Sequence, residues 1–269
     1  MKVLLTGAAG GVARMTRPML RELYPDLVLS DVRRPEDLRN DETFVPADLT
    51  DLAAVEALTK GIDGVVHLGG VSVERSWDEI LPANIVGCHN LFEAARRNQV
   101  KRVIFASSNH AIGFYPRARR IGTDNAVRPD GYYGVSKAFG EAIGALYAYK
   151  HGMRVTSLRI GNVDYKPVDL RRLSIWIHPE DLVQLFVIGL EHPEVRCEIF
   201  YGASNNVRSY WDNRRAFELG YDPVHVAEDH RDEALAAQAK LPPDPISDWF
   251  QGGMFCADGY DNKDELPRT

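Results

Sequence analysis

The sequence predicts an α/β protein built on a doubly wound parallel sheet, with a small C-terminal elaboration that caps the site. Short runs nearly continuous in Val, Ile and Leu recur along the chain, and helical-period stretches separate them. The first of these runs breaks directly into a cluster of glycines. A strand covered on both faces has no polar side to show, so uninterrupted apolar runs belong to a sheet sandwiched between helices.

The first strand is Val3-Leu4-Leu5. After the glycines, Val12, Met15, Met19, Leu20 and Leu23 recur at helical spacing, which gives strand, tight turn and helix. A second strand at Leu27-Val28-Leu29 closes on Ser30-Asp31, and a third covers 43–47. A helix opens near Asp48 and runs to about Lys60, with Thr50 or Asp51 as its N-cap. Val65-Val66-His67-Leu68 forms a fourth strand, a long helix follows over 77–98, and Val103-Ile104-Phe105-Ala106 forms a fifth. A helix over 131–151 precedes a sixth strand at Val155-Thr156-Ser157-Leu158. Beyond Arg159 the rhythm turns irregular. The pattern there gives a loop over 162–176, a helix over 179–190, a strand over 198–201, a short helix over 211–219 and a polar, Pro-rich stretch over 223–269. The expected division is a nucleotide-binding region over 1–160 and a smaller substrate-binding region over 161–269, integrated into the same domain.

With 269 residues the chain can bury roughly three quarters of its unfolded surface, so its core needs no staples. Its 32 basic and 38 acidic side chains leave a net charge of −6, and its arginine pairs are scattered, so no basic stripe for nucleic acid is expected. Cys88, Cys197 and Cys256 are odd in number and far apart, which points to a reducing, cytoplasmic setting. The histidines form neither HxH nor HExxH, so no metal is expected. No apolar run reaches the ~18 residues needed to span a bilayer, and neither export nor a membrane partner is expected.

Between the first strand and helix lies Thr6-Gly7-Ala8-Ala9-Gly10-Gly11-Val12-Ala13. Gly7 provides the tight turn and Gly10 lets backbone approach a pyrophosphate. The helix opening at Gly11 and Val12 supplies N–H donors, and small Ala13 lets helix pack on strand. Asp31 ends the second strand, about 20 positions on, where a carboxylate accepts from ribose hydroxyls and repels a 2′-phosphate. NAD is therefore expected, although Arg33 and Arg34 can instead pair with such a phosphate. Asp48 is placed to approach the adenine edge, with helix opening as its alternative role, and Leu68-Gly69-Gly70 brings backbone beside the cofactor.

The helix after strand five opens with Gly131-Tyr132-Tyr133-Gly134-Val135-Ser136-Lys137. Four residues at about 100° each put Tyr133 and Lys137 on one face, and leave Tyr132 off it. A phenol is a poor base near neutrality until a cation stabilises its phenolate, and a pKa near 7 is expected for Tyr133 beside Lys137 and the nicotinamide. Strand five ends in Ala106-Ser107-Ser108-Asn109-His110, where the Ser108 hydroxyl can hold a substrate oxygen that Tyr133 deprotonates.

Together the glycine turn, Asp31, Ser108 and the Tyr133 to Lys137 pair resemble the short-chain dehydrogenase/reductase superfamily, extended type. That resemblance implies a Rossmann-type fold, with Tyr133 as catalytic base, Lys137 as its pKa-lowering and ribose-binding partner, and Ser108 as substrate-orienting hydroxyl. Ala13 departs from the common third glycine. Leu49 and Ser107 complete the expected cofactor set beside Gly7, Gly10, Gly11, Val12, Asp31, Asp48, Leu68, Gly69, Tyr133 and Lys137.

Within that superfamily the chain is similar to the uronate dehydrogenases, bacterial NAD-dependent enzymes that oxidise glucuronate and galacturonate. The stretches that carry this are His67 to Glu74, Phe105 to His110, Arg128-Pro129-Asp130-Gly131, Arg171 to Trp176, and Phe250-Gln251-Gly252-Gly253. The resemblance implies substrate contacts at Ser72, Ser108, Asn109, His110, Tyr133, Asn162 and Arg171. Asn162 departs from the serine of a known relative. Arg171 suits the substrate carboxylate because its fork binds bidentately. The expected reaction removes the C1 hydroxyl proton and hydride of a cyclic hexuronate to give an aldarolactone, with a homo-oligomer as the working form. The alternatives are a sugar-nucleotide epimerase or dehydratase of the same superfamily, and a non-catalytic NAD-binding regulator.

Overall fold

The structure, a computed structural model, describes residues 1–262. Its strands are β1 (Val3–Thr6), β2 (Val28–Ser30), β3 (Thr43–Phe44), β4 (Gly64–His67), β5 (Arg102–Ser108), β6 (Arg154–Ile160), β7 (Asn162–Val163), β8 (Trp176–Ile177) and β9 (Cys197–Gly202). Seven of them form one sheet in the order β3-β2-β1-β4-β5-β6-β9, and every pairing is parallel. This is the doubly wound, Rossmann-type arrangement. The order turns back between β1 and β4, and a cleft opens above the C-terminal ends of those strands.

Neighbouring residues of each strand enter different cores, which is why the runs are apolar throughout. Val3 and Leu5 pack into one core, with Val66 and Ile104, while Leu4 packs into the other, with Val65 and Val103. Helices α1 (Gly11–Leu23) and α7 (Pro179–Glu191) cover the first face through Leu20, Leu182 and Phe186. On the second face lie α2 (Leu52–Leu58), α4 (Gly87–Arg97) and α5 (Tyr132–His151), through Val55, Phe92 and Ile143. Gly140 and Gly144 let α5 lie close on the sheet. A Cβ on Gly140 would sit 2.0 Å from the Phe105 ring, so α5 can be this near only without side chains there.

Several boundaries differ from the sequence reading. The third strand stops at Phe44, and 45–47 continues only through the N–H groups of Val45 and Ala47, which donate to the carbonyls of Leu29 and Asp31. Asp51, not Thr50, caps α2 by accepting from the backbone N–H groups of Ala53 and Ala54. The long helix over 77–98 is α3 (Trp77–Ile80) and α4 with a π-helical turn, Leu81–Val86, between them. That turn aims buried Asn84 at the loop after β4, where its amide bonds both backbone groups of Val71. The expected loop over 162–176 contains β7 and α6 (Arg172–Ile175), since Asn162–Val163 pairs with Trp176–Ile177. The short helix expected over 211–219 is only α8 (Arg214–Glu218). The polar stretch after 223 holds α9 (Arg231–Gln238), α10 (Pro245–Trp249) and α11 (Met254–Ala257), and positions 263–269 lie outside the described residues. Among the described residues no helix is long and apolar enough to cross a membrane.

Beneath the cleft a buried ion pair ties α5 to the sheet. Arg159 of β6 donates through Nε and Nη2 to both oxygens of Glu141, each at 2.9 Å, and Ser107 donates to Glu141 at 2.6 Å. The Arg159 and Glu141 side chains are 2% and 6% exposed, so removing one partner strands the other charge. Glu141→Ala is expected to lower unfolding free energy by about 3–5 kcal/mol, and the Glu141→Leu/Arg159→Met pair to recover most of that. Chemical denaturation of the two variants checks this; equal losses would refute it.

Candidate active site

The cleft has a volume of about 580 Å³, within the range of small-molecule and cofactor sites. Its floor is made where the turns after β1 and β4 touch. A Cβ on Gly7, which has φ +70°, would lie 2.6 Å from the Leu68 carbonyl carbon and 2.7 Å from the Gly69 nitrogen. The Thr6 hydroxyl bridges the same two turns, bonding His67 Nδ1 at 2.7 Å and accepting from the Gly69 N–H at 3.3 Å. No side chain caps α1, so its first N–H groups face the cleft beside Gly10 and Gly11 with the helix dipole behind them. That is a ready anion site for a pyrophosphate.

Asp31 stands at the end of β2, where its carboxylate accepts from the N–H groups of Ala9 and Arg33, each at 3.1 Å. The same group fixes the glycine turn and faces the cleft. Asp48 also lines the cleft, but its Oδ1 accepts from both the N–H and the hydroxyl of Thr50 at 2.8 Å, which holds its carboxyl below the usual range. Val12, Leu49, Leu68 and Gly69 line the cleft, as does Ser107, whose hydroxyl is committed to Glu141.

At the centre, Ser108 from β5 and Tyr133 and Lys137 from α5 converge. The Lys137 ammonium lies 5.4 Å from the centroid of the Tyr133 ring and 5.2 Å from that of Phe105. Burial pulls this ammonium down to about 8. Among the described residues it has no ion-pair partner. Burial pushes the Tyr133 phenol up to about 12, against the lowering effect of its hydrogen bond to Ser108. The depressed phenol expected from the sequence is therefore not a property of the protein alone: both groups are desolvated, and the cation lies over the ring. Desolvated groups of this kind are poised for a ligand that completes their solvation. The glycine cradle, the uncapped helix, Asp31 and the unpaired ammonium together fit a dinucleotide.

Residues 3–164 match the model of the NAD dependent epimerase/dehydratase family. The chain belongs to that family. Its similarity extends further to particular relatives. It is 44% identical over 259 residues to a uronate dehydrogenase of Pseudomonas putida, covering 96% of each chain. It superposes with TM-score 0.91 on a glucuronic acid dehydrogenase from Chromohalobacter salexigens, at 42% identity and 98% of each chain. A mutant uronate dehydrogenase from Agrobacterium tumefaciens complexed with NAD gives TM-score 0.90, at 41% identity over 95% of this chain and 96% of that one. The cofactor of this family member is NAD.

Of the sequence-predicted substrate residues, Ser72 and Asn162 line the same cleft as Ser108 and Tyr133. Asn109, His110 and Arg171 are not among the residues that line it. Asn109 is buried and its amide is engaged: Nδ2 donates to the Ile160 carbonyl at 3.2 Å and Oδ1 accepts from Arg171 Nη2 at 3.0 Å. Its amide therefore links Arg171 to the end of β6. His110 stacks on Phe255 at 3.9 Å and meets the Tyr133 ring edge-on at 5.7 Å. Its Nδ1 donates to fully buried Asp130 at 2.7 Å, which leaves Nε2 as an acceptor. Burial holds this imidazole below its ordinary value, although Asp130 pulls the other way. Partly buried Arg171 has no carboxylate partner among the described residues, whereas neighbouring Arg172 is paired with Asp169.

Sequence reasoning missed the residues that hold these groups. Glu74 caps α5 by accepting from the N–H groups of Tyr132 and Tyr133, each at 2.9 Å. Asn84 reaches Ser136 at 3.0 Å, and Ser136 donates to the Tyr133 carbonyl at 2.7 Å. Capping residues normally precede their helix, and Glu74 lies 58 positions before Tyr132, so no local signal could reveal it. Histidine spacing likewise overlooked His178, Glu180 and His225, whose potential ligand atoms lie within 4.8 Å of one another. They lie outside the cleft lining, and His178 Nδ1 already accepts from the Glu180 N–H at 3.3 Å as the cap of α7.

The buried ammonium carries a testable cost. Lys137 has a folded pKa near 8 against an ordinary 10.5, so its charged form destabilises the fold below about pH 8. That penalty fades as pH rises toward 10.5. Lys137→Met is expected to be more stable than the parent at pH 7 by about 1–3 kcal/mol. The difference should shrink between pH 8 and 10.5. Thermal unfolding of both proteins across that range measures it, and a pH-independent difference would refute the assignment.

Proposed function

We propose that this protein is an NAD-dependent uronate dehydrogenase that oxidises the C1 hydroxyl of a cyclic hexuronate, glucuronate or galacturonate, to the aldarolactone. The observation that carries the reading is a second cation without a carboxylate of its own. Arg171 is desolvated, which lowers its pKa, and it is linked through Asn109 to the strand end that bears Ser108. A desolvated guanidinium beside a dehydrogenase centre suits a substrate that brings a carboxylate.

In this reading Ser72, Asn162 and the free Nε2 of His110 bind sugar hydroxyls, and Arg171 binds the carboxylate. Ser108 donates to the C1 oxygen while Tyr133 takes its proton. NAD, when bound, supplies the hydride acceptor and a positively charged ring. Bringing the phenol from about 12 to neutrality requires roughly 7 kcal/mol. Lys137 contributes by stabilising the phenolate in a site from which substrate excludes water. Because C1 also carries the ring oxygen, its oxidation gives a lactone directly.

The test is absorbance of NADH formed from NAD and free hexuronates by the purified protein. Turnover is expected with the parent, with a loss of about 10³-fold or more in Tyr133→Phe, since one general base contributes about 10²–10⁴-fold. An inactive parent would refute the reading, and undiminished turnover in the variant would remove Tyr133 as base.

The working form we propose is a homodimer in the cytoplasm. Val135, Ala142, Leu146 and Tyr149 form an exposed, largely apolar stripe along α5, and Val86 is exposed just before α4. All three cysteines are free thiols, which supports a reducing compartment. Leu146→Glu is expected to convert the dimer to monomer in sedimentation velocity; a parent that already sediments as monomer would overturn this.

A further inference from the structure

We infer that Gln251 is a positioning residue that aims the Arg171 guanidinium at the substrate carboxylate and so sets the preference for a sugar acid over a neutral sugar. The inference rests on the proposed role of Arg171. Gln251 is 0% exposed, and each of its polar groups is engaged. Its N–H donates to the Tyr115 carbonyl at 2.9 Å. Its Oε1 accepts from Trp211 Nε1 at 2.9 Å, and its Nε2 donates to the carbonyls of Pro116 at 3.2 Å and Arg119 at 3.0 Å. These bonds fix the one group it has left, its own carbonyl, which accepts from Arg171 Nε at 2.8 Å.

The consequence lies in which hydrogens of the guanidinium remain. Nε–H goes to Gln251 and one Nη2 hydrogen goes to Asn109. We place both acceptors on the edge that Nε–H shares with one Nη2 hydrogen. The other edge keeps the second Nη2 hydrogen and the outer Nη1 hydrogen, two parallel donors matched to the two oxygens of a carboxylate. Both protein acceptors are neutral, so they orient the cation without cancelling its charge. Arg172 shows the contrast, since Asp169 has taken its charge. The chain also turns tightly beneath the arginine at Gly253, with φ +67°, where a Cβ would lie 2.8 Å from Arg171 Cδ and Nε.

The test compares kcat/KM for glucuronate and for glucose in the full-length protein, with NAD affinity measured separately. Gln251→Leu is expected to raise KM for glucuronate about tenfold, the size of one lost oriented contact of about 1.4 kcal/mol. NAD affinity should hold, and the glucuronate-to-glucose ratio should fall by a similar factor. Trp211→Phe, which keeps the aromatic packing and removes one bond to Gln251, should shift the ratio the same way by about two- to fivefold, and serves if Gln251→Leu does not fold. In an Arg171→Ala background the same changes should leave the ratio within about twofold, because residues acting as a unit are non-additive. Equal losses for acid and neutral sugar, or an unchanged effect in the Arg171→Ala background, would overturn the inference while leaving the uronate reading intact. A parent inactive on glucuronate, or Arg171→Ala with full preference for the acid, would instead overturn that reading and this inference with it.

Discussion

A positive charge removed from water is costly unless something nearby answers it, and most buried arginines of this chain obey that rule. Arg159 is matched by Glu141, and Arg17 by Asp37 and Glu42. Lys137 and Arg171 are desolvated and are not matched by any carboxylate of the described residues. One cation lines the same cleft as the glycine turn and lies beside the phenol; the other bonds Asn109, just beyond the end of β5. Burial of a cation without a partner costs stability, and burial pulls the Lys137 ammonium down accordingly.

The helix α5 concentrates these demands. Its N-terminus is held by Glu74 from the loop after β4, and its first turn by Asn84 through Ser136. A turn beyond Lys137, Glu141 anchors it to β6. Tyr133 and Lys137 are thus placed by contacts on both sides, which limits their freedom. The π-helical turn at Leu81–Val86 belongs to the same device, since a regular helix would not aim Asn84 into the loop.

The part after β6 packs back onto the segment that follows β5. Arg171 and Asn162 lie near its start, and the segment around Gln251 and Phe255 folds back against Arg171 and His110. Asp130 connects the two regions, bonding His110 while Gly113 and Gly252 close around it. A Cβ on either glycine would come within 1.9 Å of its Oδ2. The segment after β5 and the C-terminal stretch therefore meet on the same few side chains.

Local chemistry in the sequence determined the sheet, the glycine turn, Asp31 and the Tyr133 to Lys137 spacing. Each of these depends on residues close together in the chain, where periodicity and turn chemistry act directly. The loop that follows β6 was less legible: the two-residue strands β7 and β8 exist only because 162–163 and 176–177 pair with each other. Only the tertiary structure decided which cations stay unpaired, which carboxylate caps α5, and what holds Arg171. Those outcomes depend on partners 58 positions apart for Glu74 and Tyr132 and 80 for Arg171 and Gln251. Desolvation, which pushes the phenol up and the ammonium down, is likewise a property of the packed interior, and no spacing rule in one dimension contains it.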